Sequence, residues 1–274
     1  MSDVASPLSQ RCEWHKAPIT CIEDASKIRF LSGLEVLKLR RGPIVGSISF
    51  AEINGLKFSY GDIEGSFAVK GPLSDSDVTI AVGLQFPHGA RHWFEDIANG
   101  SVGVYHPGDE HTAHYNLAAK YGTVSLGYDQ LEEEAAKVGL VLDRKGLGAT
   151  GIHSRRLSPG VVAHLSKGFG AVNGAEFPVS LPKSKVAEDF LRAAIVHLAR
   201  EPIAVPAGGS LSRGHSRVVS RALEFIDANL CDPIFVAEIA SAAGTSQRTL
   251  HRAFRDILGA TPQGYLRALL GSLI

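Results

Sequence analysis

The sequence predicts an α+β chain: an antiparallel β-barrel or sandwich first, helices trailing it, and an all-α region last. Three observations predict this order. From Leu34 to Tyr128, short runs alternate apolar and polar residues with period two. After Tyr128 the apolar spacing lengthens to that of a helix. Near the end, Phe235–Gly259 reads as two short helices joined by a tight turn at Gly244.

Residues 1–26 are polar and irregular, and read as an arm with Trp14 as its anchor. The runs 34–39, 44–53, 56–64, 66–70, 78–86, 101–106, 113–118 and 121–128 are the expected strands. Asn54-Gly55 has the composition of a two-residue hairpin turn, and Asn99-Gly100 is a second turn signal. Short strands at this spacing fit a barrel or sandwich of about 100 residues.

Asp129 is expected to cap a helix carrying Leu131, Ala135 and Val138 and ending at Gly139. Ser158-Pro159 opens a second helix, through Val162, Leu165 and Phe169. A third, Ser184–Arg200, carries Val186, Phe190, Ala194, Ile195 and Leu198 at helical spacing. That stripe either packs back on the barrel or pairs with a second copy of the chain. Residues 27–200 therefore form one unit. Residues 201–215, with two prolines and three glycines across 201–216, read as a linker. The region 216–274 follows, opening on a helix whose inward side is Val219, Ala222, Phe225 and Ile226.

In Phe235–Gly259 the first helix buries Val236, Ile239, Ala240 and Ala243, and Ser246 caps the second. On that second helix Leu250, Ala253, Phe254 and Ile257 fall on one side. Arg248, His251, Arg252 and Arg255 fall on the other, with Gln247 at the start. An apolar back that is packed and a cationic front able to donate hydrogen bonds are what major-groove reading requires. The same cluster also suits an ordinary solvated face.

Ala237, Ala240, Gly244, Ser246, Leu250, Arg252 and Phe254, then Gly259, Pro262 and Tyr265-Leu266, resemble the AraC/XylS family of bacterial transcription regulators. The resemblance implies sequence-specific binding of double-stranded DNA. Arg248, His251 and Arg252 would face the groove, with Gln247 and Arg255 beside them. The family's DNA-binding region holds two helix-turn-helix units joined by a long helix. This chain matches the first unit and the joining helix, so the region reads as incomplete. A homodimer would restore two recognition helices.

Pro107-Gly108-Asp109-Glu110-His111, with Asn116 beyond it, resembles the second motif of the cupin barrel, and His88, His92 and Glu95 partly match the first. The N-terminal unit is thus expected to be a cupin-like sensor or dimerisation barrel. Trp93, Tyr105, His111 and Tyr115 are the candidate lining of a small-molecule effector pocket, with Phe94 and Tyr60 as further aromatic candidates. Five of the eleven histidines lie between His88 and His114. They are expected to be structural or pocket groups rather than metal ligands, and neither a metal nor a cofactor is assigned.

Two other functional readings stay open. One is a dimerising sensor with little DNA binding of its own. The other is a metal-dependent cupin enzyme, although no nucleophile elbow or phosphate loop is present and no catalytic residue is assigned. Net charge is +0, which gives no overall attraction to nucleic acid. From Leu211 onward seven Arg face five acidic residues, so the local excess is small. Three cysteines are too few and scattered for a disulfide framework, and no signal-like or membrane-length apolar run occurs, so the cytoplasm is expected.

Overall fold

The computed structural model describes residues 13–21, 24, 34–40, 42–93, 95–142, 144–174, 183–200, 204–206, 215–229 and 234–271. Eight strands form one antiparallel sheet, in the spatial order β1 (His15–Ile19), β3 (Val45–Ile53), β4 (Leu56–Glu64), β11 (Ala118–Leu126), β6 (Val78–Gln85), β9 (Ser101–Tyr105), β12 (Gly151–Arg156) and β13 (Ala204–Pro206). Five form a second, in the order β2 (Glu35–Lys38), β5 (Phe67–Pro72), β10 (Glu110–Tyr115), β7 (Ala90–His92) and β8 (Glu95–Ile97). The helices are α1 (Tyr128–Lys137), α2 (Pro159–Asn173), α3 (Lys183–Arg200), α4 (His215–Ala228), α5 (Val236–Ala242), α6 (Gln247–Leu258) and α7 (Pro262–Gly271). The chain is α+β, with the antiparallel sheets first and the helical region last.

Strand alternation divides the large sheet between two cores. Phe58 and Tyr60 of β4, Ile80 and Val82 of β6 and Val124 of β11 join Leu131, Leu165, Phe169, Phe190 and Ile195 from α1–α3. The opposite face turns inward, where Ile48 and Ile63 meet Phe67, Ile97, Ala113 and Tyr115 of the small sheet. The two sheets thus enclose an interior, while α1–α3 cover the outside of the large one. The stripe on α3 is consumed in that cover: Phe190, Ala194, Ile195 and Leu198 are buried against the large sheet.

Local signals acted as their chemistry dictates. Asn54 and Gly55 both adopt positive φ, 54° and 78°, as the tight β3–β4 hairpin needs. Ser158 and Ser246 accept from the backbone N–H of Val161 and Thr249, capping α2 and α6. Replacing Ser246 with alanine is expected to destabilise the helical region by about 1 kcal/mol, read as a lower urea midpoint.

Several boundaries differ from the sequence reading. Of the expected arm, residues 1–12 lie outside the described residues, but His15–Ile19 is a strand paired with β3. Its ladder with β3 outweighs the polar composition that suggested an arm, and Trp14 packs edge-on against Phe169 at 5.9 Å. Of the expected linker, Ala204–Pro206 pairs with β12, so part of it extends the large sheet. The rest of 201–214 lies outside the described residues. Asp129 does not cap α1; Gly127 holds that position, and Gln130 accepts from its backbone N–H. β7, β8 and β12 were not expected, since three-residue strands and a run ending His-Ser-Arg-Arg carry almost no alternation.

Candidate functional site: an interior cavity and an exposed cationic helix

Between the sheets lies a cavity of about 320 Å³. Glycines make room for its aromatic walls. A Cβ at Gly61 would lie 2.5 Å from the Tyr121 ring, one at Gly83 2.3 Å from Phe86, and one at Gly103 2.7 Å from the Tyr105 hydroxyl. Each ring therefore lies over a strand position that only glycine can fill without moving it. On the large-sheet wall, Ser59 hydrogen-bonds Thr123 at 2.6 Å and Thr79 bonds Ser125 at 2.8 Å.

On the small-sheet side, His92 sits between two phenols. Its Nδ1 is 2.7 Å from Tyr105 Oη, and its Nε2 is 3.2 Å from Tyr115 Oη. Burial drives His92 well below the ordinary histidine range, reinforced by His111 and His114. It also pushes Tyr115 well above the ordinary tyrosine range, so ring and phenol are both neutral. His111 Nδ1 donates to the carbonyl of Gly71 at 2.6 Å, and burial lowers its pKa as well, partly offset by that bond.

Of the four residues expected to line an effector pocket, Tyr105, His111 and Tyr115 line the cavity. Trp93 does not; it stacks on Tyr105 at 5.5 Å with φ 45°, a left-handed conformation that a bulky residue adopts at some cost. Tyr60 is also outside: it stacks on Phe169 at 5.0 Å in the helix-covered core. Phe94 lies outside the described residues. The groups likened to the first cupin motif do not converge. His88 is exposed in the turn before β7, while both nitrogens of His92 are taken by tyrosines. Among the described residues no group of three His, Cys, Asp or Glu side chains is placed to hold a metal ion.

The helical region carries the second candidate surface. Leu250, Ala253, Phe254 and Ile257 of α6 are buried with Val219, Ala222 and Ile226 of α4 and Ile239 of α5. Gln247, Arg248, Arg252 and Arg255 are exposed and His251 is half-buried. The helix therefore presents the cationic face that its periodicity implied, with Arg252 3.8 Å from Asp256.

The helical region also docks on the outer face of the small sheet, a contact no local sequence signal announced. Leu37 of β2 and Ala68 of β5 enter the core of the helical region, and Lys70 pairs with Asp227 of α4. Arg91 of β7 donates to the carbonyls of Asp256 and Ile257, the second at 2.8 Å, while also pairing with Asp96 at 2.7 Å. Arg40 Nε donates to the carbonyl of Gly259 at 3.3 Å. Two guanidinium groups of the barrel thus meet the C-terminal end of α6, where unpaired carbonyls and the helix dipole favour cations.

No family model matches the chain. Among solved structures, the AraC-like transcriptional activator CuxR aligns over 95% of this chain and 94% of its own length, at 13% identity and a TM-score of 0.42. A cupin 2 conserved barrel domain protein from Rhodopseudomonas palustris aligns over 38% of this chain and 85% of its own, at 12% identity and TM-score 0.24. A mutant of the Bacillus subtilis oxalate decarboxylase OxdC aligns over 34% of this chain and 29% of its own, at 11% identity and TM-score 0.25. All three likenesses are loose, and the fold rests on the sheet register and helix contacts given above. Among the described residues no helix is long and apolar enough to cross a membrane.

Proposed function

We propose that the chain is a DNA-binding transcription regulator whose barrel senses a small molecule. The observation that carries this reading is α6: Gln247, Arg248, Arg252 and Arg255 stay exposed while the back of the same helix is fully buried and the region is docked. A docking surface made by α4, the C-terminal end of α6 and α7 leaves the cationic face free for a major groove. Action by binding rather than catalysis is supported by the cavity, where His92 is held by phenols and His111 by a backbone carbonyl. Neither imidazole is set against a nucleophile.

The route from cavity to helix runs through β7. Its His92 faces the cavity and its Arg91 faces the opposite way, onto the carbonyls ending α6. A ligand that shifts His92 moves the backbone that aims Arg91, so occupancy biases docking. A single helix-turn-helix makes few base contacts, and a homodimer would supply the second.

The test is selection of random double-stranded DNA by the purified chain at about 50 mM and about 200 mM salt, beside an Arg248→Ala/Arg252→Ala variant. One enriched short motif is expected, with affinity for it falling at least about tenfold in the variant, because each forked base contact is worth roughly 1–3 kcal/mol. Weak binding with no motif, equal in the variant, would leave a sensor that does not read DNA.

A further inference from the structure

The chemistry of the cavity wall says what the cavity can hold. Of its ionisable lining groups, Lys57 is paired with Asp77 at 2.8 Å, and Asp75 is exposed at the rim. The others are His92, His111, Tyr105 and Tyr115, hydrogen-bonded to one another or to the backbone, and Tyr121, whose ring stacks on Tyr115 at 6.1 Å. Nothing inside offers a partner to a charged ligand, and an unpaired charge moved into such a site costs several kcal/mol.

The hydrogens can be placed. A neutral imidazole carries one N–H, so His92 donates to one of its phenols and accepts from the other. Bonds from O–H donors are the shorter ones. We assign the 2.7 Å contact to Tyr105 donating to Nδ1 and the 3.2 Å contact to Nε2 donating to Tyr115, the tautomer that fits these lengths. That leaves the Tyr115 hydroxyl with its own hydrogen to give. On His111 the hydrogen must be on Nδ1, since a carbonyl only accepts, so Nε2 carries a lone pair. One side of the cavity thus offers one donor and one acceptor. Around them stand the rings of Phe67, Phe86 and Tyr121, packed against Tyr115, an aromatic lining that favours a planar apolar guest.

We infer that the cavity takes a compact, uncharged, planar molecule bearing a hydroxyl group, held by the Tyr115 hydroxyl and the Nε2 lone pair of His111. This rests on the reading of the cavity as the effector site, but it does not depend on DNA binding. At about 320 Å³ the cavity sits at the small end of ligand pockets, which excludes nucleotide-sized guests.

Four probes of matched skeleton test it by calorimetric titration of the full chain: 4-propylphenol, propylbenzene, 3-(4-hydroxyphenyl)propanoate and tyramine. The phenol is expected to bind at least about tenfold more tightly than each of the other three, one lost hydrogen bond or one buried charge being worth that much or more. Tyr115→Phe should weaken the phenol about tenfold and leave propylbenzene unchanged. Equal or tighter binding of either charged probe overturns the inference, as does failure of all four to bind in the millimolar range. So does an indifferent Tyr115→Phe variant that circular dichroism shows to be folded. The probe comparison on the unsubstituted chain decides the matter even if the variant does not fold. A chain that prefers the phenol but selects no DNA keeps the ligand class and loses the regulator. One that selects DNA but prefers a charged probe does the reverse.

Discussion

Replacing Arg91 with alanine is expected to free the helical region from the barrel. The guanidinium makes two hydrogen bonds to carbonyls at the end of α6 and an ion pair with Asp96. Its side chain is 22% exposed, so solvent screens these contacts only in part. Hydrogen bonds to a charged donor contribute roughly 1.5–3 kcal/mol each. Discounting for partial exposure and for the contacts that Lys70 and Arg40 keep, a net loss of about 3 kcal/mol follows, or about a hundredfold in the docking equilibrium. Limited proteolysis reads it, as faster cleavage between 200 and 215 in the variant. Arg91→Lys is the discriminating control, since one ammonium could replace Nη1 on the two carbonyls but could not also supply the Nε–Asp96 pair. It should fall between wild type and alanine. If the alanine variant resists protease as well as the parent, Arg91 does not hold the two parts together, and the proposed route through β7 loses its contact.

The same arginine shows where sequence reading stopped. Alternation revealed every strand of the large sheet between β3 and β11, because one face of each meets helices and the other a cavity, and period two survives both. It failed for β7 and β8, which are three residues long and owe their existence to pairing with β10 and with each other. Those short strands carry the residues that matter most. Arg91, between two glycine- and histidine-rich stretches, gives no sign that it reaches residues 165 positions away. The cationic face of α6 was legible because a helix with such a sharp division repeats it every turn. Tyr105, His111 and Tyr115 were singled out through motif and aromatic clustering, and all three line the cavity. The glycines under the rings, at 61, 83 and 103, were visible as residues within strands, but only the register shows that they face the cavity.

Lowering the pH from about 7.5 to about 5, across the ordinary histidine range, is expected to destabilise the folded chain by several kcal/mol. Burial holds His92 and His111 below that range, brings His114 down to about 3 with help from Arg91, and brings His153 down to about 4 with help from His197. In the unfolded chain these rings titrate near 6.5, so below that pH the unfolded state binds more protons than the folded one. The stability they contribute is complete above 6.5 and is lost as the pH falls toward each folded value. Each pH unit below 6.5 costs about 1.4 kcal/mol for every ring still neutral in the fold. For His114 and His153 together that is on the order of 4 kcal/mol by pH 5, before His92 and His111 add theirs. Urea midpoints at the two pH values measure the loss. His114→Asn removes one titrating ring, so its midpoint, though lower at neutral pH, should change less between the two. A midpoint that rises on acidification, or a His114→Asn variant with undiminished pH dependence, would show that these rings are not held neutral by the fold. His114 also lies beside Arg91 in the sheet register, on the face that receives the helical region. Its protonation would set a second cation against Arg91, so acid should loosen the docked helices before it melts the barrel, and cleavage between 200 and 215 should quicken at a pH where the urea transition still shows a folded core.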